Sequence, residues 1–215
     1  MNRVSTPEMA ANKAVSDAYD AAQTGPAALS MLMSRQSHWP LVEPGPDDAA
    51  LDVIFDAALR APDHGRLRPW RFTFIRGEAR AELGDLLVEA ERARSPDEPA
   101  ENLAQRRQRA FAAPVIIALG AAVSTATRVP ETEQLLSAGA AAMNMLNAIH
   151  ALGYGGFWAT GPDSYDKTLQ AALDFEESDK LIGFLFVGTP AKPVRAVDRP
   201  PRGNYVREWL GRSSI

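Results

Sequence analysis

Apolar residues along this chain recur with two periods, and those periods set out its elements. In GPDDAALDVIFDAALRAPDHG, Leu51, Ile54, Phe55, Ala58 and Leu59 fall on one helical face. Pro46 near the first turn, with Asp47 and Asp48 at the positive end, marks the start, and Pro62 marks the stop. A shorter helix is expected over Ala27–Gln36 (AALSMLMSRQ). In PWRFTFIRG, Trp70, Phe72 and Phe74 alternate with Arg71 and Thr73, as along a half-buried strand. Leu83, Leu86, Leu87 and Ala90 build an amphipathic helix over Glu78–Arg94, and Glu101–Ala112 returns to helix after the loop SPDEP. APVIIALGAAV is a short β-branched run that reads as a buried strand. The longest helix is expected over Glu131–Leu152, closed by Gly153. GGFWATG then reads as a brief strand or turn, Asp166–Phe175 as a short helix and KLIGFLFVGTP as a buried strand.

Strands and helices interspersed in this order predict an α+β architecture, with strands too few for an eightfold barrel. Residues 1–25 are poor in large apolars and read as a poorly ordered extension. A single domain is expected over residues 26–194, followed by a basic tail over 195–215. From Pro190 onward there are six Lys or Arg against two acidic residues, so the rest of the chain carries a net charge of −8. A basic tail on an acidic body is expected to dock, on its own domain or on a partner subunit. The overall charge of −4 argues against non-specific nucleic-acid binding. No apolar run approaches a membrane span, and the first residues lack the apolar core of a signal peptide. With no cysteine in the chain, a reducing cytoplasm is the expected location.

The missing cysteines also exclude thiolate metal sites, Fe–S clusters and thiol catalysis. His38, His64 and His150 are scattered and predict no metal centre. No phosphate-binding P-loop, zinc-protease motif or nucleophile elbow is present, and GYGGFW departs from the dinucleotide fingerprint at Trp158. An enzyme built from these residues would borrow its reactivity from an organic cofactor. The stretch RAPDHGRLRPWRF concentrates four arginines, a histidine and a tryptophan, which suits a ligand anionic at one end and flat at the other.

Four patches carry a resemblance: SRQSHWPLVEPGP, RAPDHGRLRPWRF, SAGAAAMNMLNAIHALGYGGFWATG and DKLIGFLFVGTPAKP. In order and spacing they resemble the nitroreductase family of FMN-dependent oxidoreductases, most closely its compact YdjA-like branch. The resemblance implies a central, mostly antiparallel sheet flanked by helices. It also implies an intertwined homodimer with FMN in two interface clefts. On the family pattern Arg35, Gln36 and Ser37 contact FMN, Arg60 and His64 reach it from the opposite subunit, and Trp158, Ala159 and Thr160 lie along the flavin. The family's nicotinamide side falls on Ala148, Ile149, His150, Ala151, Leu152 and Gly153. Two family arginines are absent, replaced by Gln36 and Ala159.

Plainer roles stand beside these. Arg35 and Ser37 could close a helix, Arg60 could be a solvated helix terminus and His64 a turn residue. Trp70, Met143 and Met145 read as core, Trp158 as open to either a cofactor or a packing role, His150 as a helix-face residue at an interface, and Arg106, Arg107 and Arg109 as a solvated face. The expected activity is reduction of flat electrophiles such as nitroaromatics or quinones, with NADH or NADPH as donor and no catalytic side chain. The alternative is an FMN-binding sensor or carrier with little turnover.

Overall fold

The structure is a computed structural model that describes residues 21–193 and 197–211. Residues 1–20 of the expected extension, and Arg195 and Arg212 of the tail, lie outside the described residues. The elements are α1 (Ala21–Ser34), β1 (Leu41–Val42), α2 (Asp48–Ala58), β2 (Trp70–Arg76), α3 (Ala79–Arg94), α4 (Ala100–Gln108), β3 (Val115–Ala122), α5 (Glu131–Ala151), β4 (Gly155–Ala159), α6 (Lys167–Ala172) and β5 (Asp179–Pro190). This is the α+β order that the apolar pattern predicts, with β1 added. Two residues are too few for β1 to show a period of two. Helix α1 begins inside the expected extension and ends at Ser34, so Arg35 and Gln36 leave it as irregular chain. At α2 the Asp47 carboxylate accepts the Ala50 N–H at 2.8 Å, which makes Asp47 the cap and puts Pro46 just outside.

All strand pairs are antiparallel. β3 lies between β2 and β5, while β4 and β1 follow one another along the far edge of β5. Side chains alternate across a strand, so β3 and β5 supply two cores. Ile117, Leu119, Leu185 and Val187 meet α2 and α5 through Ile54, Ala142, Met145 and Ile149. Ile116, Ala118 and Phe184 meet α3 and α6 through Leu83, Leu87 and Leu169. Burial on both faces explains why β3 reads as an unbroken apolar run. Trp70 packs on the first core, as expected, and its indole N–H donates to Ser137 Oγ at 3.0 Å.

Three core expectations need correction. Met145 is fully enclosed, but Met143 lies on the outer face of α5 and is exposed. Leu59 caps the C-terminus of α2 and turns outward. Arg106, expected on a solvated face, turns inward because Asp163 and Glu91 sit beneath α4. Arg107 does remain on the surface and pairs with Asp85.

Candidate functional site

The site is organised by β4, the outer strand beside β5. Gly155 lets the chain after α1 cross this strand closely: a Cβ there would sit 2.7 Å from Leu41 Cδ2. The crossing is fixed by the His38 N–H, which donates to Gly156 O at 3.2 Å. Arg35, Gln36 and Ser37 therefore lie beside the start of β4, and Trp39 reaches along it. The Trp39 ring centroid is 5.1 Å from that of Phe157 and 5.5 Å from that of Phe186.

Two hollows meet at Trp39. One, of about 370 Å³, is walled by Trp39, Phe157 and Phe186 on the sheet side and by Leu83 and Leu87 of α3. Its polar end holds Thr160, Gly161, Asp163, Ser164 and Arg109. The other, of about 470 Å³, is lined by Gln36, Ser37, His38, Lys192 and Val197. The first is apolar and aromatic; the second offers an amide, a hydroxyl and an ammonium group. Arg35 sits behind the second hollow, where its carbonyl accepts from Arg199 of the tail at 3.0 Å.

His38 stands between these groups with both ring nitrogens buried and without a hydrogen-bond partner. Burial, and then the proximity of His150 and Arg35, lowers its pKa below the ordinary histidine value. His38 is thus held in its neutral form.

The sequence-derived residues divide into two groups. Gln36, Ser37, Ala159 and Thr160 line the joined hollows, with Arg35 adjacent. Trp158 does not line them: its indole turns into the first core and donates to Ile182 O at 3.2 Å. Gly183 makes room for that ring, because a Cβ there would lie 2.5 Å from Trp158 Nε1.

Arg60, just after α2, and His64 line neither hollow. His64 Nδ1 meets Glu133 Oε2 at 2.5 Å, and Ser137 Oγ donates to Pro62 O at 2.6 Å. The Asp63 carboxylate accepts the N–H groups of Leu67 and Arg68. The arginine-rich loop is thereby held over the N-terminal half of α5. The Arg35 segment meets the other end, where Ser34 Oγ and His150 Nε2 are 2.9 Å apart. Glu133 and His150 are separated by about 26 Å at 1.5 Å per helical residue. One chain therefore does not bring His64 to Arg35.

Ala148–Gly153 forms the closing turn of α5 and the residues just after it. Ile149 is fully enclosed, His150 faces Ser34, and Gly153 has φ +84°. Neither hollow includes these residues. Sequence reading missed Trp39, Phe157, Phe186, Arg109, Asp163 and Lys192. Trp39, Phe157, Phe186 and Lys192 lie within the quoted motifs and carried a signal; Arg109 and Asp163 reach the site only through packing of α3 and α4.

An aromatic chamber and a polar hollow thus lie side by side and share Trp39 in their walls. The chain belongs to the nitroreductase family, whose family model matches residues 32–189. It is 39% identical over 163 residues to the Escherichia coli (strain K12) protein named "Putative NAD(P)H nitroreductase YdjA", covering 76% of this chain and 88% of that one. A nitroreductase-like protein from Bacillus cereus shares the fold with a TM-score of 0.72 and 19% identity, covering 86% and 96% of the two chains. A Desulfovibrio desulfuricans structure described as a "putative nitroreductase in complex with fmn" superposes with a TM-score of 0.65 at 25% identity, covering 86% and 98%.

Proposed function

We propose that this chain is an FMN-dependent oxidoreductase that takes electrons from NADH or NADPH and passes them to flat electrophiles such as nitroaromatics or quinones. The observation that carries this reading is the meeting of two chemically unlike hollows at Trp39. FMN pairs a dianionic phosphate with a flat ring, and the donor set fits both. Ser37, Gln36 and Lys192 suit the phosphate end, with Arg35 behind them. Trp39, Phe157 and Phe186 suit the ring, with Ala159 and Thr160 along its edge. Arg109 is the one basic residue lining the ring chamber among the described residues. A bound flavin would supply hydride transfer in both directions, and turnover would then be ping-pong in a single slot. The chain's own residues bind and orient the ring, limit water and supply fixed dipoles, so no side chain needs to act as nucleophile. Contact with the nicotinamide would fall at the end of α5, on half-buried His150 and exposed Ala151, Leu152 and Gly153.

The functional unit in this reading is a homodimer. His64 can join Arg35 and Ser37 only if a second copy lays its loop across the site, and Arg60 would come with that loop. Exposed apolar residues on α1 (Leu29, Leu32, Met33), on α5 (Leu136, Met143) and in the tail (Trp209, Leu210) offer a surface for that copy. No helix among the described residues is long and apolar enough to cross a membrane.

The test is the visible spectrum of purified protein after FMN is added and excess removed, followed by anaerobic NADH or NADPH. Retained flavin absorbance that bleaches rapidly is the expected result. Retained absorbance that does not bleach would favour a flavin sensor or carrier. Loss of all flavin on desalting would overturn the cofactor assignment.

A further inference from the structure

Beyond Ala159 the chain leaves the sheet, so the position of Thr160 and Gly161 is no longer set by pairing with β5. The next residues form a 3₁₀ turn, Pro162–Tyr165. That turn is tied outward by charge. Arg94 of α3 and Arg106 of α4 each donate to the same oxygen, Asp163 Oδ1, at 2.8 Å. Glu91 Oε2 lies 2.8 Å from Arg94 and 2.9 Å from Arg106. Arg94 also reaches Asp166 Oδ2 at 3.2 Å, and Asp166 Oδ1 caps α6 by accepting the Leu169 N–H.

These charges are withdrawn from water: the Asp163 side chain is 10% exposed and that of Arg106 13%. A hydrogen bond from Arg94 lowers the Glu91 pKa against the effect of burial. Burying an ion network is costly, and an apolar cluster of similar volume serves stability equally well. What the network provides is a directional tie. It joins α3, whose Leu83 and Leu87 form one wall of the ring chamber, to the turn that forms its end.

We propose that Asp163 is a positioning residue for the ring end of the flavin site. Its carboxylate sets how far Thr160 and Gly161 stand from α3, and so sets the width of the slot for the isoalloxazine. The proposal rests on the FMN reading above. It differs from a purely stabilising role in one respect: an apolar replacement of the pair would restore stability without restoring the slot.

Asp163→Asn keeps the side-chain shape and removes the charge. The double variant Asp163→Leu with Arg106→Met replaces one arm of the network by apolar contact and leaves Arg94 paired with Glu91 and Asp166. Dissociation constants for FMN and for riboflavin, the visible spectrum of each bound flavin, and the melting temperature of the flavin-free protein are measured for all three proteins. Asp163→Asn is expected to weaken FMN and riboflavin by a common factor, about ten-fold, because the turn faces the ring and not the phosphate. The double variant is expected to regain the melting temperature while keeping the weakened affinity and an altered bound spectrum. Wild-type affinity and spectrum in either variant would overturn the proposal. If wild-type protein binds neither flavin, the cofactor reading falls and the positioning role with it. If wild type binds both and the variants do too, only the positioning role falls.

Discussion

His38 shows how one residue links the site to solution conditions. Its pKa is lowered by burial first, then by His150 and Arg35. The unfolded chain therefore takes up a proton more readily than the folded one. Stability due to neutral His38 is fully present above the ordinary value of 6.5 and is lost as pH falls through the lowered folded value. Urea denaturation across this window should show wild-type stability declining with acidity. In His38→Asn that decline should flatten, and an unchanged slope would place the titration on another group. Gly183 is a second single-residue case. Its φ is +135°, and a Cβ would meet both Trp158 Nε1 and the Ala159 carbonyl. Gly183→Ala should cost about 2–4 kcal/mol, read from the denaturation midpoint. A loss below about 0.5 kcal/mol would mean that the strand relaxes freely around the added methyl. At this scale the sequence was partly legible. That Gln36, Ser37, Ala159 and Thr160, which line the hollows, belong to motifs of interest was legible through the family resemblance. The inward turn of Trp158 was not, because a neighbouring glycine permits close backbone approach but does not say which face of β4 a ring will take.

Among the elements, α5 carries most of the organisation. Its small residues let it lie close to α2 and to the sheet, with Ala141, Ala142 and Met145 fully buried. Its N-terminal half anchors the arginine-rich loop through Ser137, which accepts from Trp70 and donates to Pro62 O. Ser137→Ala removes both contacts and leaves an indole N–H with only the longer bond to the Ser137 carbonyl. A loss of about 1–3 kcal/mol is expected, with faster hydrogen exchange over residues 62–70. Equal exchange in the two proteins would show that the loop is held by other contacts. The helix periods and the strand β3 were readable because apolar side chains sort by period. The two-residue β1 and the earlier start of α1 were not, since short or weakly apolar segments are decided by what packs on them.

For the molecule as a whole, the separation along α5 of His64 from Arg35, both proposed as FMN contacts, leads to a prediction about assembly. Arg35→Ala with Ser37→Ala disables one half of a shared site, and Arg60→Ala with His64→Ala disables the other. Each double variant alone should retain little FMN. Co-expressed and isolated as a mixed dimer, they should regain one intact site of two, with about half the wild-type flavin content. No recovery, in a mixed dimer confirmed by mass, would exclude a site shared in this way. Sedimentation of the wild type should give a dimer with Trp209 shielded from fluorescence quenchers.

The sequence alone determined the α+β order, the buried strands β3 and β5, and which short motifs carry polar groups suited to an anion. These follow from local periodicity, turn chemistry and residue type, all of which are written along the chain. Only the tertiary structure decided that Trp39 is shared by two hollows, that Asp163 ties α3 and α4 to the turn after β4, and that His64 stands far from Arg35 within one copy. Such facts depend on which faces meet after collapse, and contacts between residues distant in sequence leave no periodic trace in it.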